Sequence, residues 1–299
     1  MTIREAMLRT ILRGAKVLTS LGQPGLRVEE YLLGQICPDG GFADISGKSD
    51  LYYTSFGFEA LSALSPEKAT GISGRLTDYL RTFGVGGQLD LVHLACLARC
   101  WAKVWNGQGV DEDLRSAIAA RLGEFRCDDG GFSLFPDMPD GSSVYNCFLA
   151  LCIIADLSMT NRPDDRIAEY VAKCIIPSGG YGNTVSDGVA TTPTTAAAIA
   201  VLLSLGREAD GSALDWLTEQ GSDGAFFAVE GLPMGDLLST ATALHTLQLA
   251  GRNIDHIAED SRRYVMSLLC DDGSFAATNY DSSGDCEYVF YALLALGSI

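Results

Sequence analysis

A Gly-Gly turn recurs six times along this chain, and its spacing limits the possible folds more than any other feature. It stands as Asp39-Gly40-Gly41-Phe42 and, in degenerate form, as Val85-Gly86-Gly87-Gln88. It returns as Asp129-Gly130-Gly131-Phe132, Ser178-Gly179-Gly180-Tyr181, Asp223-Gly224-Ala225-Phe226 and Asp272-Gly273-Ser274-Phe275. The first glycines are 46, 44, 49, 45 and 49 residues apart. Self-similarity at such a period marks a repeat architecture, whose units bury their apolar faces against one another. Six units fill nearly all 299 residues, so one barrel domain is expected over residues 25–299, after an N-terminal helix in 1–24.

Each unit has the same grammar. A moderately amphipathic helix precedes the turn, at about 26–36, 66–83, 111–126, 163–175, 210–220 and 253–270. Pro66, Pro163, Asp111, Asp210 and Asp255 stand near these starts, where a missing donor or a capping carboxylate fits. A much more apolar helix follows, at about 50–64, 90–105, 142–156, 191–205, 236–250 and 285–297. A helix apolar nearly all round is buried on every side. Two concentric layers follow, apolar helices inside and amphipathic ones outside. The last unit ends Leu294-Ala295-Leu296-Gly297-Ser298-Ile299, with none of the polar capping an open solenoid needs. The expected fold is all-α, an α/α six-barrel of six helix pairs. Arg4, Arg9, Arg13 and Lys16 give the leading helix a basic face, expected to be solvated while the helix packs on the first repeat, and Leu21-Gly22-Gln23-Pro24-Gly25 reads as the break after it.

Composition narrows the partners. The net charge of −17 argues against nucleic acid and anionic membrane surfaces. No apolar run is long enough to span a bilayer and residues 1–20 lack a signal-peptide pattern, so a cytoplasmic protein is expected. The nine cysteines then read as reduced thiols. Cys37, Cys127 and Cys270 occupy equivalent repeat positions, far apart in a ring, and so read as small buried apolar residues.

Asp50, Asp90, Asp140, Asp187, Asp236 and Asp285 lie at or just before the inner helices. Helix capping accounts for each singly; together they would ring one mouth of the barrel. Near the same mouth, Tyr52, Tyr53, Phe56, Tyr145 and Tyr288 offer aromatic walls suited to an apolar ligand or a cation.

The repeats resemble those of the superfamily of protein prenyltransferase β-subunits and terpene cyclases, including squalene-hopene cyclase-like enzymes, whose α/α toroids use Gly-Gly-Phe repeats. The nearest stretch is Asp39-Gly-Gly-Phe-Ala-Asp44 with Ser49-Asp50-Leu-Tyr-Tyr-Thr-Ser-Phe-Gly-Phe58. The resemblance implies an isoprenoid-handling enzyme with a site in the barrel mouth, and it implies the family's motifs only where the residues match. The zinc-binding His of the prenyltransferases corresponds to Tyr53, and Asp-x-Cys is replaced by Asp50-Leu-Tyr52, Asp140-Gly-Ser142, Asp236-Leu-Leu238 and Asp285-Cys-Glu287. His93, in Asp90-Leu-Val-His93, remains a weak metal candidate with Cys147 nearby; the sequence does not support zinc and indicates no other cofactor. The family's diphosphate-binding bases are matched by little more than Lys48, with Arg99 and Lys103 far along their helix. The cyclase acid motif corresponds to Thr191-Thr-Pro-Thr-Thr-Ala196, with Pro193 at the acid's place. Asp50, Asp187 and Tyr53 are therefore the catalytic candidates, and Tyr52, Phe56, Tyr145 and Tyr288 the substrate-binding ones. Glycoside hydrolysis ranks low because Trp101, Trp105 and Trp216 do not group into sugar subsites. The alternative to an enzyme is a non-catalytic toroid that binds a lipid, or a protein partner at one barrel end.

Overall fold

The computed structural model describes residues 1–108, 111–138, 141–159 and 165–299. Among these it places thirteen helices and only two-residue strand pairs, 42–43 with 49–50 and 221–222 with 225–226. A leading helix, α1 (Ile3–Ser20), precedes six outer helices: α2 (Gln23–Gly34), α4 (Pro66–Arg81), α6 (Glu112–Gly123), α8 (Arg166–Ala172), α10 (Gly211–Glu219) and α12 (Asp255–Ser267). Alternating with them are the inner helices α3 (Leu51–Leu64), α5 (Leu91–Gln108), α7 (Val144–Asp156), α9 (Thr192–Ser204), α11 (Leu237–Leu249) and α13 (Cys286–Ser298). Each inner helix packs on the next and α13 packs back on α3, so the ring closes. The sequence reading placed Pro163 at an outer-helix start and Asp140 at an inner one; both lie outside the described residues.

The repeated turn is the joint between units. In the first, Asp39 Oδ1 accepts the Gly41 N–H at 3.1 Å and holds the Ser49 hydroxyl. The aromatic ring that follows, Phe42, is fully buried. Its N–H donates to Thr54 Oγ1 at 2.8 Å, and that hydroxyl donates to the Asp50 carbonyl at 2.6 Å. Thr195 and Thr240 do the same for the N–H groups of Tyr181 and Phe226. A buried backbone donor is thus satisfied one turn into the inner helix. Gly40 has φ +98°, and a Cβ there would stand 2.5 Å from the Arg75 carbonyl of α4. Gly130, Gly179 and Gly224 press their turns onto the next outer helix in the same way, at Arg166, Ser212 and Asp260, whereas Gly86 of the degenerate turn meets Leu89, Leu94 and Leu97 instead. Gly273 (φ +92°) reaches round to Arg27 of α2, where a Cβ would lie 2.2 Å from the carbonyl oxygen. The last repeat therefore docks on the first.

Helix α1 departs from expectation in part. It starts with a Thr2/Glu5 capping box. It does rest on the first repeat, against α2 and α3, but it packs chiefly on α13 and also touches α7, α9 and α11. Gly14 and Gly297 let the two backbones meet: a Cβ at either would fall 1.9 Å from a carbonyl oxygen of the other helix. Arg4, read as part of a solvated basic face, is 3% exposed. The break before α2 is also shorter than expected. Gly22, at φ +74°, makes the turn, and Pro24 already belongs to the first turn of α2.

Only part of the carboxylate ring is built as the sequence suggests. Asp50, Asp236 and Asp285 cap α3, α11 and α13, and Asp90 accepts the His93 N–H at the start of α5. Ser143 and Thr191 cap α7 and α9. All nine cysteines are free; Cys127 is buried as expected, while Cys37 and Cys270 are only half-buried.

Candidate active site

The closed ring encloses a cavity of about 350 Å³ along its axis, within the range of small-molecule sites. It begins at the first turns of the inner helices, with Tyr52, Tyr145, Pro193, Leu238 and Glu287, and ends on Leu294 of α13 and Ile3 and Met7 of α1. The leading helix is its floor. The wall is mostly apolar, with Arg99, Thr194, Thr242, His245, Thr246 and Glu287 among the polar and charged side chains that the inner helices bring to it. Aromatic rings dominate one side: Tyr52 stands edge-on to Phe56 at 4.9 Å between centroids, Phe56 to Phe290 at 5.0 Å, and Phe290 to Tyr291 at 5.5 Å. Tyr145, 41% exposed, faces the mouth.

Among the described residues Glu287 is the one carboxylate lining this cavity. It occupies the first turn of α13 and is the helix's single charged residue. The Tyr52 hydroxyl donates to Glu287 Oε1 at 2.7 Å. Burial pushes the Glu287 carboxyl up to about 7, against the pull of that hydrogen bond and with help from Asp285. Near neutral pH much of it carries a proton. With Oε1 held by a phenol donor, that proton belongs on Oε2.

Deeper in, Arg99 reaches the wall from the third turn of α5. Behind it is a buried cluster. Arg4 donates to both Glu59 oxygens at 2.9 and 2.8 Å and, through Nε, to both Asp156 oxygens at 2.9 and 3.1 Å. Arg99 and Lys103 approach Glu59 at 3.7 and 3.6 Å. Burial pushes the Glu59 carboxyl up, but Arg4, Lys103 and Arg99 together outweigh it and bring it down to about 2. His245, also on the wall, is lowered to about 4 by burial and by Arg13, so it is neutral.

The residues singled out from sequence divide into two sets. Tyr52, Phe56 and Tyr145 come together on the wall. Asp50, Asp187, Tyr53 and Tyr288 do not line the cavity. Asp50 Oδ1 accepts the Tyr52 and Tyr53 N–H groups as an N-cap. Asp187, placed by the sequence at a helix start, closes its own loop by accepting the Asn183 and Thr184 N–H groups and the Thr184 hydroxyl. Tyr53 packs edge-on to Tyr52 at 5.7 Å and Tyr288 beside Tyr291 at 6.4 Å, both one layer back. His93 Nδ1 pairs with Asp90 at 2.7 Å, and no three potential metal-ligating side chains group together among the described residues. Trp101 and Trp105 do stack, contrary to expectation, at 5.6 Å, but both are buried in the core.

The profile of the prenyltransferase alpha-alpha toroid domain matches residues 25–78 and 137–296, more than half of the sequence. The chain belongs to the prenyltransferase alpha-alpha toroid family. The unmatched interval contains the degenerate turn at Gly86-Gly87. Solved toroids of similar fold include the type II terpene cyclase MstE from Scytonema, at 16% identity and TM-score 0.63, covering 94% of this chain and 98% of that one. Another is Candida albicans protein geranylgeranyltransferase-I complexed with GGPP, at 15% identity and TM-score 0.65, covering 90% and 89%. A Salegentibacter alpha-1,6-mannanase is similar as well, at 12% identity and TM-score 0.63, covering 93% and 98%. Comparison with curated proteins finds no match. The toroid scaffold serves unlike chemistries, so the reaction must be argued from this member's own cavity. Its distinctive residue, Glu287, was passed over in the sequence as part of Asp285-Cys-Glu287; the available signal was a lone acid in the first turn of an otherwise apolar inner helix.

Proposed function

We propose that this toroid is an isoprenoid-handling enzyme that starts a carbocation rearrangement by proton delivery from Glu287. The observation that carries the reading is a half-buried carboxyl, hydrogen-bonded by Tyr52 at 2.7 Å, at the rim of an aromatic cavity, where burial raises it to about 7 and favours its acid form. Type II terpene cyclase MstE in complex with geranylgeranyl dihydroxybenzoate, and geranylgeranyltransferase-I with GGPP, place isoprenoids in toroids of this kind. In the reaction proposed, the Oε2 proton passes to a terminal alkene carbon. The π pair forms the new C–H bond, a tertiary cation remains, and Glu287 becomes a carboxylate stabilised by the Tyr52 hydroxyl. Internal double bonds then close rings onto the cation. Loss of a proton from a neighbouring carbon to water at the mouth, which also returns a proton to Glu287, ends the sequence and leaves an isomer of the substrate. The π-faces of Phe56, Phe290 and Tyr291 stabilise the moving charge, and the apolar wall keeps water from quenching it. Glycoside hydrolysis needs two carboxyl groups at the substrate, whereas this wall supplies one among the described residues.

The test is product analysis by gas chromatography and mass spectrometry with linear polyenes of increasing length. Wild-type protein is expected to yield cyclised isomers, and Glu287→Gln to lose about 100-fold or more in rate while binding the polyene unchanged. Because the acid form is the active one, kcat/KM should hold below pH 7 and fall as pH rises through about 7. A variant as fast as wild type sinks the proposal. Polyene binding without conversion would instead favour the non-catalytic lipid-binding toroid.

A further inference from the structure

We propose that the inner part of the cavity is a subsite for a single negative charge, so that the ligand is an isoprenoid carboxylic acid held head-inward on Arg99. The inference rests on the reading that the cavity takes an isoprenoid, and it adds the head group and the direction of binding.

Two observations carry it. The first is an orphaned donor. Arg99 is 6% exposed and lines the cavity, yet its Nε has no hydrogen-bond partner among the described residues. The carboxylate facing that Nε, Glu59, stays at 3.7 Å because Arg4 already occupies both Glu59 oxygens, and Asp156, whose charge also acts on Arg99, is likewise held by Arg4. A buried guanidinium with unused donors is costly unless something accepts from it. The second is charge. Arg4, Arg99 and Lys103 carry three positive charges, while Glu59 and Asp156 supply at most two negative ones. The surplus is one, and of the three cations Arg99 is the one that lines the cavity. One carboxylate would balance it and match the planar guanidinium fork. A diphosphate would bring more negative charge than this wall can neutralise.

The fold then sets the direction of the chain. Arg99 lies about 10 Å deeper along the barrel than Val92 at the rim, from the rise of an α-helix. The Arg99 guanidinium lies 5.6 Å over the Phe56 ring, and Tyr52 stands edge-on to the same ring at 4.9 Å. A head on Arg99 sends the hydrocarbon outward past these rings to Glu287. The proton therefore reaches the end of the chain remote from the carboxylate, where a terminal alkene stands.

Calorimetric titration of the full-length protein, near neutral pH, with a matched twenty-carbon isoprenoid acid, alcohol and diphosphate tests this. The acid is expected to bind at least about tenfold tighter than the alcohol, the usual size of a charge-assisted hydrogen bond. Arg99→Gln should erase that preference and leave alcohol affinity within about threefold. The variant leaves two cations facing two carboxylates, so it is expected to melt no lower than wild type. Equal binding of acid and alcohol by wild-type protein, or tightest binding of the diphosphate, overturns the proposal without any variant. If none of the three binds, the isoprenoid reading falls with it. If the acid is preferred but Glu287→Gln turns over normally, proton delivery falls and the head-group subsite stands.

Discussion

Glu59 and Glu287 are each the single charged residue of an apolar inner helix, and their surroundings drive them in opposite directions. Around Glu59 three cations overcome burial and keep a carboxylate; around Glu287 burial prevails and the carboxyl stays up at about 7. The pH consequences have opposite sign. Glu59, lowered from 4.5 to about 2, contributes stability above its unfolded value that is lost as pH falls toward 2. Glu287, raised from 4.5, contributes stability fully present below pH 4.5 that is lost as pH rises through about 7. Removing Arg4 would leave two carboxylates buried with weaker partners. Arg4→Ala is expected to cost about 3–5 kcal/mol in urea unfolding near neutral pH, far beyond a surface arginine. A loss below 1 kcal/mol would show the cluster to be hydrated and dispensable. At this scale the sequence was legible only in part. The aromatic residues at the rim were visible as a group, but Arg4 looked like one of four basic residues on an exposed face. Nothing local announces that its partners lie 55 and 152 residues away.

At the scale of the element, the glycine turn carries two separate demands, a left-handed backbone and an approach to the next outer helix that leaves no room for a side chain. They can be separated experimentally. Gly47 has φ +81° with nothing within 4 Å of a Cβ, whereas Gly273 combines φ +92° with the carbonyl of Arg27. Gly47→Ala should therefore cost about 1 kcal/mol, the conformational term alone. Gly273→Ala should cost about 3 kcal/mol, since α2 must also move. Equal losses, read from chemical denaturation, would mean the approach is soft. The caps at Asp50, Asp236 and Asp285 could be read from sequence because capping is local chemistry. Asp187 could not be placed, since the same residue type also closes a loop on its own backbone, and the choice between the two is made by where the loop must go.

For the whole molecule, the repeat period gave the number of units, and the apolar inner helices gave the layering. What the sequence does not display is the seam. Closure depends on α13 meeting α3 and on the last turn meeting α2, and α1 then lies over the far end as the floor of the cavity. In an open array the terminal units exchange their amide hydrogens first, because each lacks a neighbour. Here no unit does. Hydrogen exchange of the wild-type protein should show similar protection in the six inner helices, and Gly273→Ala should introduce a gradient that is steepest at α2 and α13. A gradient already present in the wild type would argue that the seam is not closed in solution. The turn at Gly273 is thus the keystone of an arch bent into a hoop. Strain applied at any joint is shared around the circumference, and a cavity on the axis of such a hoop keeps its bore even when one rib is weakened.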